Sequence, residues 1–378
     1  MTRRAGLLIS LLLGLAAPAG AETDPITAAR SASLALDQAG LALKEAEGAR
    51  DRVAALTRTI RAYEEGLAAL REGLRRAAIR ERILALELEA RREEIAQLTG
   101  VLLTMQRSPE TLLLLHPSGP LATARSGMML ADVTPELQAR AEALRASLEE
   151  ASLLRALQES AAGTLAEGLA GAQQARTALS QAISERSDLP RRFSADPEKL
   201  RLLLESADTL EGFASGLASL GGAGEANPLP PFEALRGRLP LPVQGRVLRW
   251  MGEADAAGIA RPGLLIATRP QALVTTPAPA TIRYRGPLLD YGNVMILEPG
   301  AGYLLVLAGL AQVYGEVGEV LPAGAPVGLM GGEMPETSAI LSRVSEGGGA
   351  ERPETLYMEL RQGDAPVDPA AWFNVTKD

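Results

Sequence analysis

The sequence predicts an α+β protein of two parts, a long antiparallel helical hairpin followed by a mostly-β domain. Three observations carry this reading. First, composition changes near residue 225: of the twelve aromatic residues only Tyr63, Phe193 and Phe213 precede that point, and most prolines follow it. Second, the front is rich in Ala, Leu, Glu and Arg, and its apolar residues recur at alternating steps of three and four, the spacing of a coiled-coil seam. Third, the back consists of short apolar runs separated by Gly and Pro, the pattern of strands and turns. The chain's 378 residues also exceed one ordinary core.

Residues 1–21 read as a secretory signal: Arg3 and Arg4, then the apolar stretch Ala5–Leu15, then the small residues Ala19-Gly20-Ala21, so that the mature chain begins at Glu22. The apolar stretch is shorter than the roughly 20 residues a spanning helix needs. Residues 22–220 form the helical part. Val53, Leu56, Ile60, Tyr63, Leu67, Leu70 and Leu74 set a heptad frame that continues through Ala77, Leu84, Leu88, Ile95, Leu98, Leu102 and Met105, interrupted by Glu81 and Arg91. One helix over residues 27–106 would be roughly 120 Å long. The proline- and glycine-containing stretch from Arg107 to Gly127 is the elbow, and it carries the apolar run Leu112, Leu113, Leu114 and Leu115 beside the lone His116. Helical pattern resumes after Pro135, with Leu144, Leu148 and Ala151, then Leu165, Leu169, Ala172, Leu179 and Ile183, on a return arm. A further helix runs from Pro197 to about Leu220, with Leu200, Leu203, Leu204, Leu210, Phe213 and Leu217 on one face. Residues 221–231 are a linker. The β domain, 232–378, holds expected strands at Gly245–Trp250, Leu264–Ala267, Ala272–Thr276, Ile282–Arg285, Asn293–Leu297, Tyr303–Ala308, Val327–Met330 and Thr355–Arg361.

The formal net charge is −8, and removing Arg3 and Arg4 leaves 36 basic against 46 acidic residues. That balance argues against general nucleic-acid binding. With no Cys and one His, disulfides, thiolate metal sites and a cysteine nucleophile are excluded. The Gly-rich "GLMGG" lacks the Lys-Ser/Thr continuation of a phosphate loop. The carboxylates Asp290, Glu298 and Glu359 are scattered, and a paired-carboxylate glycosidase stays open.

Several fragments of the back half occur in the order found in one family: Leu239–Glu253, Tyr291–Leu310, Val317–Gly332 and Ala365–Phe373. On these the domain resembles the lysostaphin-like, LytM-type zinc endopeptidases. Joined to the signal and coiled coil, the layout resembles the EnvC family of murein hydrolase activators. LytM-type enzymes bind zinc through the His and Asp of His-x-Gly-x-Asp and the second His of a His-x-His pair. The first His of that pair acts with another His on a middle strand. Aligned on Gly263, this chain carries Arg261 and Leu265 in the first segment, Gly309 at the middle-strand position, and Thr355 and Tyr357 in the last pair. Arg has no lone pair at accessible pH, Leu and Gly offer none, and a phenol ionises near pH 10. The reading is therefore a degenerate peptidase without catalytic residues, metal or cofactor.

What the resemblance implies is a binding groove. In EnvC-like proteins it engages a periplasmic N-acetylmuramoyl-L-alanine amidase during septal peptidoglycan splitting. The residues expected to contact the amidase are Tyr291, Val294, Tyr357 and Arg361, with Arg261 at the rim; Tyr and Arg are enriched at interface hot spots. The segment 333–354 is longer than a hairpin needs. Pro335, Ile340, Leu341 and Val344 are expected on an arm that packs over the groove and restrains it. The hairpin tip, through Leu112–Leu115, is expected to dock on an FtsEX-type inner-membrane ABC transporter, and the location implied is the periplasm at the division septum. Two readings from other classes stand beside this one: a zinc endopeptidase with displaced ligands, and a coiled-coil adaptor, which usually places β sequence on both sides of its hairpin.

Overall fold

A computed structural model describes residues 25–375 apart from 47, 94–95, 98–99, 101–119, 187–188, 190–196, 220–231, 256–257, 301, 336–337 and 341–352. The expected signal and linker lie outside the described residues, as does the expected elbow up to residue 119, whereas its last part, 120–127, is helical. Helix α1 spans Pro25–Glu45 and α2 spans Ala49–Ala90. The expected single helix is thus broken at Gly48, which is extended at the α2 N-terminus and supplies no side-chain cap. α3 spans Pro120–Ser184 and starts earlier than expected, running through Pro135 at the loss of one backbone hydrogen bond. α1 packs lengthwise on α2, and α2 on α3. The α2–α3 pairing is antiparallel: Arg52 meets Glu185, Glu64 meets Arg176 and Arg80 meets Glu150. Among the described residues no helix is long and apolar enough to cross a membrane.

The heptad frame is buried where it is covered. Val53, Leu56 and Ile60 of α2 and Ala175, Leu179 and Ala182 of α3 form one cluster with Leu273, Tyr314 and Leu329 of the β domain. Further along, Leu67 meets Leu165 and Ala172. Leu148, expected on the return seam, is exposed instead.

Among the described residues the β domain is one sheet of ten strands: β1 Gly245–Arg249, β2 Leu264–Thr268, β3 Leu273–Thr275, β4 Ala280–Pro287, β5 Asn293–Gly300, β6 Tyr303–Val313, β7 Val320–Leu321, β8 Pro326–Met330, β9 Glu354–Gln362 and β10 Ala365–Val367. The main path runs β1-β2-β9-β6-β5-β4-β7, with β10 on β9 and with β8 bridging β3 and β6. These strand pairs are all antiparallel. One face closes over a core of Leu264, Ile266, Val274, Ile282, Leu305, Leu307, Val327, Leu356, Met358 and Leu360. At one end Phe232 stacks on Trp372 at 4.8 Å and Leu239 pairs with Phe373, tying the start of the domain to its end.

The expected helix after Pro197 is two helices, α4 Pro197–Ser206 and α5 Leu210–Ser219. Thr209 separates them, and its hydroxyl accepts a hydrogen bond from Gly212 N at 3.0 Å. Both helices lie on the sheet. Leu210, Phe213, Ala214 and Leu217 of α5 are buried against its second face.

The helical part is joined to the sheet through a buried carboxylate. Glu64 of α2 accepts from Arg176 of α3 at 2.9 Å and from the backbone N–H of Leu273 at 3.0 Å. The two side chains are 7% and 5% exposed. Burial pushes the Glu64 carboxyl up, and Arg176 is the strongest group opposing that rise. Arg176→Leu is expected to destabilise the protein by roughly 3–5 kcal/mol in chemical denaturation, because it leaves the carboxylate buried without its counter-charge. A group raised in the folded state costs least at low pH, so the deficit shrinks as pH falls towards the ordinary carboxylate range.

Candidate functional site

β9 lies between β2 and β6, and it is buried on both sides. Leu356, Met358 and Leu360 enter the main core, so Tyr357, Glu359 and Arg361 share the opposite face by the two-residue period of a strand. That face is the site. Leu265 of β2 pairs directly with Tyr357, Ala267 with Thr355, and Ala308 of β6 flanks Tyr357 from the other side. Arg261, Leu265 and Tyr357 line one small cleft with Trp250 and Asp255. Gly263 permits this close approach, since a Cβ there would lie 2.6 Å from Met358 O and 2.8 Å from the Tyr357 ring. Gly309 sits beside Thr355 with φ +94°, and a Cβ on it would lie 2.7 Å from Thr355 O. The structure therefore brings Arg261, Leu265, Gly309, Thr355 and Tyr357 together.

Their chemistry does not fit zinc. Arg261 is turned to the surface, its guanidinium 3.9 Å from Asp255. Tyr357 donates its phenol to Glu359 at 2.7 Å. Burial first, then the charge of Glu359 and its hydrogen bond, push that phenol far above its usual range, so it remains an O–H donor. At Gly309 the backbone conformation and the Thr355 carbonyl exclude any L side chain without rearrangement. Among the described residues no group of three His, Cys, Asp or Glu is placed to hold a metal.

The face is not an open groove. α5 lies across it, and Phe213 meets Tyr284 edge-on at 4.7 Å. Tyr284, Val294, Ile296, Leu304, Val306, Ala308 and Tyr357 form one cluster with Leu210, Phe213, Ala214 and Leu217, and Leu200, Leu203, Leu204, Leu265 and Tyr291 pack around it. Sequence reasoning expected Tyr291, Val294, Tyr357 and Arg361 to present a contact surface. Instead Val294 is wholly buried in this cluster, Tyr357 is 8% exposed and Arg361 is 0% exposed. Tyr291 is half-buried, and of the expected set Arg261 alone is exposed.

Arg361 is held by charge and by α5. Its guanidinium donates to Glu359 at 2.6 Å, to the Ser215 hydroxyl of α5 at 2.7 Å and to the carbonyl of Asp364. Glu211 of α5 lies 4.0 Å away at the surface. Sequence reasoning missed this network. Its signal was present in the alternation of Tyr357, Glu359 and Arg361 on a strand otherwise apolar, which demands a polar partner from a covering element.

The expected arm differs from its assignment. Ile340 is buried against Leu67, Leu165 and Ala172 of the helical part, and Met334 and Pro335 line a cavity with Glu64 and Arg176. The described part of the segment thus packs on α2 and α3, not over the groove, because those helices offer the apolar cover that Ile340 needs. Leu341 and Val344 lie outside the described residues.

No family model matches the chain. A relative described as the uncharacterized protein NMB1333 of Neisseria meningitidis is 28% identical over 142 residues, 38% of this chain and 21% of that protein. Similar solved structures include a putative peptidase M23 from Pseudomonas aeruginosa (17% identity, 49% of this chain and 65% of that one, TM-score 0.31). Csd3 from Helicobacter pylori shows 18% identity over 37% of this chain and 36% of that one, TM-score 0.28. A zinc-containing peptidase from Vibrio cholerae shows 18% identity over 35% of this chain and 38% of that one, TM-score 0.28. The chain spans about a fifth of the curated relative's length and about a third of Csd3.

The raised phenol sets a pH dependence. Tyr357 is folded in its neutral form, so its contribution is complete below its ordinary value of 10.0 and is lost as pH rises beyond it, where the unfolded chain ionises first. The stability difference between the parent protein and Tyr357→Phe is expected to fall as denaturation is repeated from neutral pH to about pH 11. A constant difference contradicts the burial argument.

Proposed function

We propose that this chain is a non-catalytic periplasmic activator of N-acetylmuramoyl-L-alanine amidases in septal peptidoglycan splitting and daughter-cell separation, and that α5 keeps it inactive. The observation that carries the reading is one juxtaposition. The positions at which a LytM-type domain holds its metal converge here on a face without a zinc ligand set, and a helix of the same chain covers that face. A groove that has lost catalysis but keeps a removable apolar cover is suited to exchanging one helix for a partner's. Displacing α5 bares Tyr284, Val294, Leu304 and Tyr357 and frees Arg361 and Glu359 for a polar partner. Tyr291 and Arg261 then stand at the margins.

The chain order supports a relay. α4 and α5 come next after α3 in the chain, so movement of the long helices can be passed along the chain to the cover. In this reading the helical part is a coiled-coil hairpin docked by its tip on an FtsEX-type transporter, and ATP-driven movement there withdraws α5. In this reading α5, rather than the 333–354 segment, supplies the restraint.

Peptidoglycan release with a cognate amidase tests the proposal. The parent chain is expected to stimulate weakly, and Phe213→Asp/Leu217→Asp to stimulate at least tenfold more, since each apolar side chain contributes about 1.5–3 kcal/mol to the cover. Zinc and chelators leave both unchanged. Release by the chain alone, abolished by a chelator, establishes the endopeptidase reading instead. A folded double variant that stimulates no better than the parent removes the restraint from α5.

A further inference from the structure

α2 carries a second apolar seam. Ala55, Ala62 and Ala69 are buried at seven-residue spacing, about a third of a turn from the Val53–Leu74 frame that faces α3. These small residues suit the close packing of α1. α1 ends at Glu45 and runs back along α2 from its start at Ala49, so Pro25 stands level with about residue 71. Beyond that level the series continues through Arg76, Ile83 and Ala90, and Ile79 and Leu86 fall beside it. Ile79, Ile83, Leu86 and Ala90 occupy an arc of about 60°. The three large ones are 42%, 43% and 65% exposed. A heptad helix normally turns polar residues outward at these positions.

We propose that this seam joins two copies of the chain side by side, with their α2 helices antiparallel. The flanking charges select both the occupant and the direction. Arg82 and Glu89 lie on one flank of the seam, and Arg80 and Glu87 lie on the other. Arg80 is fixed on its flank by Glu150 of α3 at 2.7 Å. In an antiparallel pair like flanks meet. A two-fold axis between residues 84 and 85 then sets Ile79 against Ala90 and Ile83 against Leu86. It also brings Arg82 of each copy to Glu89 of the other, and Arg80 to Glu87. A parallel pair joins unlike flanks and sets Arg82 against Arg80 and Glu87 against Glu89, which repel. The seam is thus complementary to itself in one orientation only, as an isologous contact requires.

The native absence of cysteine makes the geometry measurable. In the full-length protein, Ile79→Cys and Ala90→Cys variants are expected to form a disulfide-linked dimer when mixed under mild oxidation. Each alone does not, since Ile79 and its symmetry mate lie about 16 Å apart along the axis, beyond disulfide reach. Self-linking by Ile79→Cys alone overturns the antiparallel arrangement. In sedimentation equilibrium the parent chain dimerises, Ile83→Glu abolishes dimerisation, and Arg82→Glu weakens it about tenfold. Arg82→Glu/Glu89→Arg restores it. The exposed positions keep far-UV circular dichroism unchanged, so loss of association is not loss of helix. A parent chain that is monomeric at every concentration, or an Ile83→Glu variant that dimerises like the parent, overturns the proposal and leaves the seam to another partner.

Discussion

A guanidinium with no exposure to water lies between the sheet and α5, and the organisation of the β domain depends on how it is kept there. Removing Arg361 from solvent is costly, and one carboxylate rarely repays the cost. Here Glu359 supplies the charge, Tyr357 occupies the other oxygen of that carboxylate, and Ser215 and the Asp364 carbonyl take further donors. Three consecutive outward positions of β9 are therefore one hydrogen-bonded unit, and α5 supplies its lid. The polar unit makes the packing of α5 specific, because an apolar helix without Ser215 in register leaves a buried donor unmet. It also lowers the cost of opening: when α5 leaves, apolar surface is exposed, but a charged pair regains water. Apolar burial and ionic desolvation thus oppose each other at the same interface, which is the condition for a cover that holds and yet releases.

The same logic explains what was legible in the sequence. The eight expected strands correspond to β1–β6, β8 and β9, because alternating apolar residues bounded by Gly and Pro report strand formation directly. β7 and β10, of two and three residues, are too short to show a period. The frame from Val53 to Leu74 was readable because heptad spacing is a local property. The break at Gly48 was not, since one glycine inside a strong helical pattern is usually tolerated. Pro135 misled in the other direction, marking a start where the helix continues.

At the site, the positions were legible and their environment was not. Gly263 anchored an alignment whose five positions do converge, because strand register translates linear spacing into neighbours across a sheet. Burial by a distant element has no such local signature. Tyr357 and Arg361 have the composition of an interface, and they form one, but the partner is α5 of the same chain. The apolar face of residues 200–217 required a surface to cover, and the polar alternation of β9 required a partner. Either requirement alone leaves the match undetermined, and matching the two needs the third dimension.

The helical part repeats this lesson with the sign reversed. In α2 the seam toward α3 and the small-residue stripe toward α1 are both filled over the first half of the helix, and the cluster of Val53, Leu56 and Ile60 extends that packing onto β3 and β8. Past the end of α1 the second stripe persists, yet among the described residues no element lies on it, and Ile79, Ile83 and Leu86 stand there beside Ala90. Small residues admit a helix of the same molecule at close range, whereas branched ones project to meet something further away. A stripe that changes from small to large where its internal partner ends is a surface built for an external one.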